Sequence, residues 1–318
     1  MVRCGIVLAG GEGKRLQPFI HRLRGDALPK QYVNFLSGRS MLQQTIGRAE
    51  MLIPPERVLT VVGRQHLEFR EAVGQLATRP LGTVIVQPEN KDTGPGLLLP
   101  LIHLAARHSD PVVAVFPSDH FIVQEALFMD HVEQACRAVE RNPNQLVLLG
   151  VEPQGPDPEY GYILPGRGAT DNVTALKAVA GFVEKPHPAD AERLLFDGAF
   201  WNTFVMVGRT LALLDLVRRL ARGLYDHFLK IRQAIGTRRE QGVTEEAYRT
   251  LAPVNFSKAL LERIEPNDPL RLAVMPVHGV FWSDWGSEQR LVAGLEKTGY
   301  VYGDDHRPLS KPLEAEGV

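Results

Sequence analysis

The residues best placed to do chemistry lie near the start of the chain. There the apolar run Gly5 to Ala9 breaks into Gly10-Gly11-Glu12-Gly13-Lys14-Arg15-Leu16, and Pro29-Lys30-Gln31 follows downstream. Glycines let backbone N–H groups turn toward an anion with no Cβ in the way, and Arg15 and Lys30 can neutralise what those amides hold. The chemistry this predicts is the binding of phosphate, and so of a nucleotide. Two better-known phosphate loops do not match. A Walker loop needs Ser or Thr after its lysine, whereas Arg15 follows Lys14. The dinucleotide fingerprint needs a third glycine where the helix packs on the strand, and Leu16 stands there. A tight turn that binds nothing would use the same glycines, so the rest of the site must be found elsewhere.

Two carboxylates extend the pattern. Asp119 lies in Pro117-Ser118-Asp119-His120, directly after an apolar run. A carboxylate at a strand end, beside a triphosphate, is a natural ligand for Mg²⁺, which prefers hard oxygens; a helix cap or a turn would also use it. Asp284 lies in Trp282-Ser283-Asp284-Trp285-Gly286-Ser287, where two tryptophans flank the acid and a cationic partner is expected. That partner is an arginine or a metal, and two acids aimed at one crevice favour the metal. Further islands suit a second substrate. Gly161, in Tyr160-Gly161-Tyr162-Ile163, lets a ligand approach the backbone. Glu184 can accept from hydroxyls, Lys185 can neutralise a phosphate, and Asn202 can donate and accept toward a sugar.

Elements must bring these residues together. Short apolar runs at 4–8, 58–62, 83–87, 112–116, 146–150 and 204–207 read as strands, with helices at 40–51, 65–77, 97–107 and 126–142 between them. Further strands are expected at 162–164, 175–184 and 272–276. This alternation predicts an α/β fold: a Rossmann-like mixed, mostly parallel sheet flanked by helices. From 211 to 262 the pattern turns mostly helical and predicts a helical layer in the C-terminal half, a covering layer that could also serve a homo-oligomer. One catalytic domain is expected over 1–300. After it, 303–318 is rich in Gly, Pro and charge and is expected to be a mobile tail.

Composition narrows the class. The 318 residues carry 36 basic and 37 acidic side chains, a net charge of −1, so no broad field favours nucleic acid or a membrane surface. Cys4 and Cys136 lack metal-ligand spacing and read as reduced core residues. The first strand follows Met1-Val2-Arg3 with no room for a signal peptide, and no apolar stretch is long enough to span a bilayer, so a cytoplasmic location is expected.

Taken in order, the motifs resemble those of the sugar-phosphate nucleotidyltransferases. They are Leu8-Ala9-Gly10-Gly11-x-Gly13-x-Arg15-Leu16-x-Pro18, Pro29-Lys30-Gln31, Gln87-Pro88-Glu89-Asn90, Pro117-Ser118-Asp119-His120, Gly161-Tyr162-Ile163, Glu184-Lys185-Pro186, Trp201-Asn202 and Trp282-Ser283-Asp284-x-Gly286-Ser287. The likeness runs from Gly5 to Ser287. Within that group, Gln31, Ser40-Met41-Leu42-Gln43-Gln44-Thr45 and Glu89-Asn90-Lys91-Asp92-Thr93 are most similar to the mannose-1-phosphate guanylyltransferase branch.

The resemblance implies that a sugar 1-phosphate oxygen, that of mannose 1-phosphate above all, attacks the α-phosphorus of GTP and displaces pyrophosphate, with Mg²⁺ as cofactor. Arg15, Lys30, Asp119, Lys185 and Asp284 would be catalytic, with Asp119 and Asp284 on the metal. Leu8, Ala9, Gly10, Gly11, Gly13, Gln87, Glu89, Asn90, Thr93 and Gly94 would surround the nucleotide. Gly161, Glu184, Lys185 and Asn202 would hold the sugar phosphate. Asn202-Thr203-Phe204 departs from the usual Asn-Ser-Gly, Asn255-Phe256-Ser257 departs from Ser-Ile-Asp, and the stretch from Pro18 to Pro29 is longer than usual. Nothing after the catalytic part resembles a β-helix or a cupin-like domain, so a stand-alone form is expected. Another nucleotide or sugar, or a non-catalytic regulatory homologue, are the alternatives; a nicotinamide enzyme is disfavoured by the missing third glycine.

Overall fold

Alternating side chains of the central strands enter two separate cores. The strands β1 (Arg3–Ala9), β4 (Val112–Pro117) and β6 (Gln145–Val151) show it best. Val7, Ala114 and Leu149 pack into one core, while Ile6, Val115 and Leu148 pack into the other. Continuous apolar sequence is what a strand needs when helices cover both of its faces. The computed structural model describes residues 1–36, 38–169, 175–265, 267–297, 301–302 and 308–310.

The remaining strands are β2 (Val58–Gly63), β3 (Val84–Gln87), β5 (Phe121–Ile122), β7 (Gly161–Ala169), β8 (Lys177–Glu184), β9 (Phe200–Arg209), β10 (Arg271–Val277), β11 (Trp282–Ser283), β12 (Val301–Tyr302) and β13 (Pro308–Ser310). Helices α1 (Gln17–Arg24), α2 (Met41–Glu50), α3 (Arg70–Leu76) and α5 (Glu125–Arg141) send apolar side chains into the first core, as do α6 (Pro188–Phe196) and α11 (Glu288–Lys297). Helices α4 (Thr93–Arg107), α7 (Thr210–Leu220), α8 (Arg222–Ala234), α9 (Glu240–Thr250) and α10 (Phe256–Ala259) line the second. The helical stretch expected after 211 is this second layer, packed on α4.

The main sheet has the order β3-β2-β1-β4-β9-β6-β10-β8-β7. The expectation of a mostly parallel sheet holds only for β3-β2-β1-β4 and for the β6–β10 pair. Strand β9 lies antiparallel between β4 and β6, and β7 and β8 form an antiparallel pair. β7 also pairs with β9 through Tyr162↔Trp201 and Ile163↔Phe200, so β9, β6, β10, β8 and β7 close into a hydrogen-bonded circuit. That closure sets Gly161, Glu184 and Asn202 side by side. Helix α4 begins at Thr93, four residues before the expected start, because Asp92 caps it: its carboxylate accepts from the Thr93 N–H at 2.6 Å. The helix expected at 65–77 is a 3₁₀ turn, Arg64–Glu68, followed by α3.

In the expected tail, Pro308–Ser310 pairs with Val301–Tyr302, and 303–307 and 311–318 lie outside the described residues. Among the described residues no helix is long and apolar enough to cross a membrane.

Candidate active site

The loop after β1 is shaped by contacts only glycine allows. A Cβ on Gly10 would stand 2.1 Å from Nε2 of Gln87, and Gly13 has φ 60°, which glycine adopts without strain, and would set a Cβ 3.0 Å from the Lys30 Cβ. Gln31 is buried and clamps the loop, its Nε2 donating to the carbonyls of Ala9 at 2.8 Å and Gly11 at 2.9 Å. The loop opens on a cavity of about 580 Å³, within the usual range for small-molecule sites. Leu8, Gly10, Gly11, Gly13, Arg15, Gln87, Asn90, Thr93, Asp119, Gly161, Glu184, Lys185, Asn202 and Asp284 all line it.

The two acids meet because a two-residue ladder joins distant segments. Strands β5 and β11 pair through Phe121↔Ser283 and Ile122↔Trp282, which fixes the turn of Asp119 beside the turn of Asp284. Lys30 lies behind them, 3% exposed, with Nζ 2.9 Å from Asp119 Oδ2. It also donates to the carbonyls of Asp284 at 2.6 Å and Trp285 at 3.3 Å. An ammonium has three donors, and all three are used here. Lys30, expected on the triphosphate, is not among the residues that line the cavity; it binds the two acidic turns to each other.

Asp284 does have an arginine. Its Oδ1 accepts from Tyr160 Oη at 2.9 Å, the Gly286 N–H at 3.0 Å and Arg290 Nη1 at 2.8 Å. Burial would raise this carboxyl, but Arg290, Lys30 and the Gly286 hydrogen bond outweigh it and hold it below its ordinary value. Asp119 is likewise held low against burial, by Lys30 and His120. Tyr160 is fixed by Trp201, 4.4 Å between ring centroids, and by the Arg290 guanidinium 4.6 Å above its ring. Arg15 pairs with Glu159, and its Nη2 stands 3.8 Å from Asp284 Oδ2. Asp119 Oδ1 and Asp284 Oδ2 lie outside the Lys30 and Arg290 bonds, beside the cavity both acids line. A pair of hard carboxylate oxygens next to a basic loop fits Mg²⁺, which takes its remaining ligands from phosphate and water.

His120, also on the cavity wall, is pushed down to about 4 by burial, against the pull of Asp119 and Asp284, and its Nδ1 accepts from Trp282 Nε1 at 3.3 Å.

On the nucleotide side, Gln87 is 2% exposed and its Oε1 has no hydrogen-bond partner. A buried carbonyl without a partner is an uncommon state, and it stands in the wall of the cavity, packed against Gly10 and Gly96. Three residues expected around the nucleotide do other work. Ala9 gives its carbonyl to Gln31. Glu89 is exposed and pairs with Lys91 at 2.8 Å. Gly94 seats α4, donating its N–H to the Val254 carbonyl at 2.8 Å. None of the three is among the cavity-lining residues.

On the opposite side, Glu184 is raised by burial, offset in part by Lys185 and a hydrogen bond from Ser257. The Asn202 Oδ1 accepts from the Phe204 N–H at 3.0 Å, which leaves its Nδ2 as the polar end toward the cavity. Backbone strain collects around the cavity. Five described non-glycine residues have positive φ, and Asp92, Lys185, Phe204 and Trp285, all but Asp110, lie on its wall or directly beside Asp284. Gln31, His120, Asn255 and Ser257 stand in the quoted motifs but have no place in the expected site, and Glu159 and Tyr160 are not expected there either. The available signal was membership of a motif for the first four and the two positions directly before Gly161 for the last two.

The family model described as Nucleotidyl transferase matches residues 4–298. The chain is 28% identical over 298 residues to the xanthan biosynthesis protein XanB of Xanthomonas campestris pv. campestris (strain B100), covering 92% of this chain and 60% of that protein. It is 29% identical over 323 residues to mannose-1-phosphate guanylyltransferase of Escherichia coli (strain K12), covering 98% of this chain and 64% of that one. The chain thus spans less than two thirds of the length of these curated proteins. A crystal structure described as mannose-1-phosphate geranyltransferase from Thermus thermophilus superposes with a TM-score of 0.78 at 26% identity, over 93% of this chain and 79% of that one.

Proposed function

Because this chain belongs to the nucleotidyl transferase family, we propose that it joins the nucleotidyl group of GTP to a sugar 1-phosphate, mannose 1-phosphate first among them, giving GDP-mannose and pyrophosphate. The observation that carries this reading is the union, in one cavity, of the glycine loop with Arg15, the acids Asp119 and Asp284, and the polar set Gly161, Glu184, Lys185 and Asn202. Gln87, in the cavity wall, carries an amide that can both donate to and accept from the edge of a base such as guanine.

In the reaction, a phosphate oxygen of the sugar 1-phosphate forms a bond to the α-phosphorus. The bond from that phosphorus to the bridging oxygen breaks, and its electron pair leaves on pyrophosphate. Catalysis is positioning and charge neutralisation, with no covalent intermediate. Arg15, released from Glu159, meets the charge that builds on the leaving group. Lys30 keeps Asp119 and the Asp284 turn in register, while Tyr160 and Arg290 hold Asp284 in one orientation. Lys185 faces the sugar phosphate, and Glu184 and Asn202 take its hydroxyls. Mg²⁺, held by Asp119 and Asp284, would supply further neutralisation of the phosphates. The test is pyrophosphate release across a grid of nucleoside triphosphates and hexose or heptose 1-phosphates with Mg²⁺. Turnover highest with GTP and mannose 1-phosphate is expected; no release anywhere on the grid overturns the reading.

A further inference from the structure

Strand β9 does not pass straight through the site. Leu148 of β6 opposes Met206 and Gly150 opposes Asn202, so Thr203, Phe204 and Val205 together stand against Leu149 alone. Side chains secure the excursion. Thr203 Oγ1 donates to the Leu149 carbonyl at 2.7 Å and accepts from the Val205 N–H at 3.2 Å, and Asn202 Oδ1 accepts from the Phe204 N–H at 3.0 Å. A bulge of this kind re-aims the residue at its apex, and bulges gather beside active sites.

The residue at the apex is Phe204, with φ 57°. A bulky side chain rarely adopts the left-handed conformation, which is where glycine would fit without strain. The strain is not repaid by deep burial: the ring is partly exposed on the cavity wall, in edge contact with Phe256 at 6.2 Å between centroids. It packs against the second core and shares the cavity wall with hydrogen-bonding groups, among them the Asn202 amide, the Glu184 carboxyl and the Ser257 hydroxyl. One aromatic face among hydrogen-bonding groups matches a pyranose, which has hydroxyls around its rim and a C–H face.

We propose that Phe204, thrust into the cavity by the β9 bulge, is the residue that selects the sugar, giving an apolar face to one side of the pyranose and filling space a differently shaped sugar would need. The assignment rests on the function proposed above. Contact with the sugar rather than with the nucleotide follows from its place beside Asn202, whose Oδ1 accepts the Phe204 N–H, although Phe256 reaches the nucleotide side by donating its N–H to Thr93 Oγ1 at 2.9 Å.

The experiment compares wild type with Phe204→Ala, Phe204→Gly and Phe204→Leu, measuring kcat/KM for a panel of sugar 1-phosphates, KM for GTP, and the melting temperature. Loss of one apolar contact in a pocket changes discrimination about tenfold or more. The expected result is such a change in the ratio between the best and second-best sugar for Phe204→Ala and Phe204→Gly, a smaller change for Phe204→Leu, and a KM for GTP within about twofold of wild type. Phe204→Leu keeps apolar bulk, so it supplies the answer if the smaller variants do not fold; an unchanged ratio in that variant then overturns the proposal. An active Phe204→Ala enzyme with unchanged sugar ranking overturns it, and so does a shift confined to GTP. Wild type silent on every sugar defeats the parent function instead, which is a different outcome from an active enzyme with an unmoved ranking.

Discussion

At the scale of the residue, Arg15, Lys30, Asp119 and Asp284 each have a partner of opposite charge within the protein. Arg15 is held by Glu159 and lies near Asp284, and half of its side chain is exposed. It gains most when charge develops on a leaving group that can compete with those acids. Arg15→Ala is therefore expected to lower kcat by about 10²- to 10³-fold while changing the dissociation constant for GTP far less, measured by pyrophosphate release and by titration. Weakened GTP binding with kcat intact would make the loop a handle only. Glu184 is a second case. Burial raises its carboxyl above the ordinary 4.5, so its charged form is penalised in the folded protein at neutral pH, and the penalty disappears once pH falls below 4.5 and both states are protonated. Glu184→Gln should then raise the melting temperature near pH 7 and bring no gain near pH 4. Asp119 and Asp284 have the opposite sign. Both are held below 3.8, so the stability they contribute is present above that value and lost as pH falls through their lowered range. A gain from Glu184→Gln that persisted at low pH would show that relief of desolvation is not the cause.

At the scale of the element, the site depends on where a few backbones start and stop. The β5–β11 ladder joins residues more than 150 positions apart and so sets Asp119 beside Asp284. The start of α4 is set by the Asp92 cap and by Gly94 against Val254. A Cβ on Gly94 would meet the Val254 carbonyl oxygen at 2.7 Å, and that oxygen is fixed because it accepts the Gly94 N–H. Gly94→Ala is expected to cost about 1–3 kcal/mol in urea unfolding, and to raise KM for the nucleotide by moving Thr93. Stability equal to wild type would mean that the contact yields freely. Gly94 stands in a nucleotide-site motif and also packs the helix that carries the site, a second role that its place in the motif does not reveal. Lys30 is similar. Its type and place in the motif were legible, whereas its three partners come from residues 119, 284 and 285.

At the scale of the whole molecule, one cavity is assembled from both halves of the sheet, so a ligand spanning it ties the halves together. GTP with Mg²⁺ at 100 times its dissociation constant is expected to stabilise the fold by about 2.7 kcal/mol, seen as a rise in melting temperature that EDTA reduces. No shift at any GTP concentration would remove GTP from the proposed reaction. By itself the sequence determined the local matters: where most of the longer strands and helices run, which loops carry glycine, and which acids and bases follow strand ends, because these follow from periodicity and from backbone freedom within a few residues. Only the tertiary structure decided the antiparallel insertion of β9 and the closure of β7 onto it, the arginine on Asp284, the burial of Lys30 and the entry of Phe204 into the cavity. Each depends on pairings between residues far apart in the chain. Such partners are chosen by packing and hydrogen-bond satisfaction in three dimensions, which no local pattern encodes.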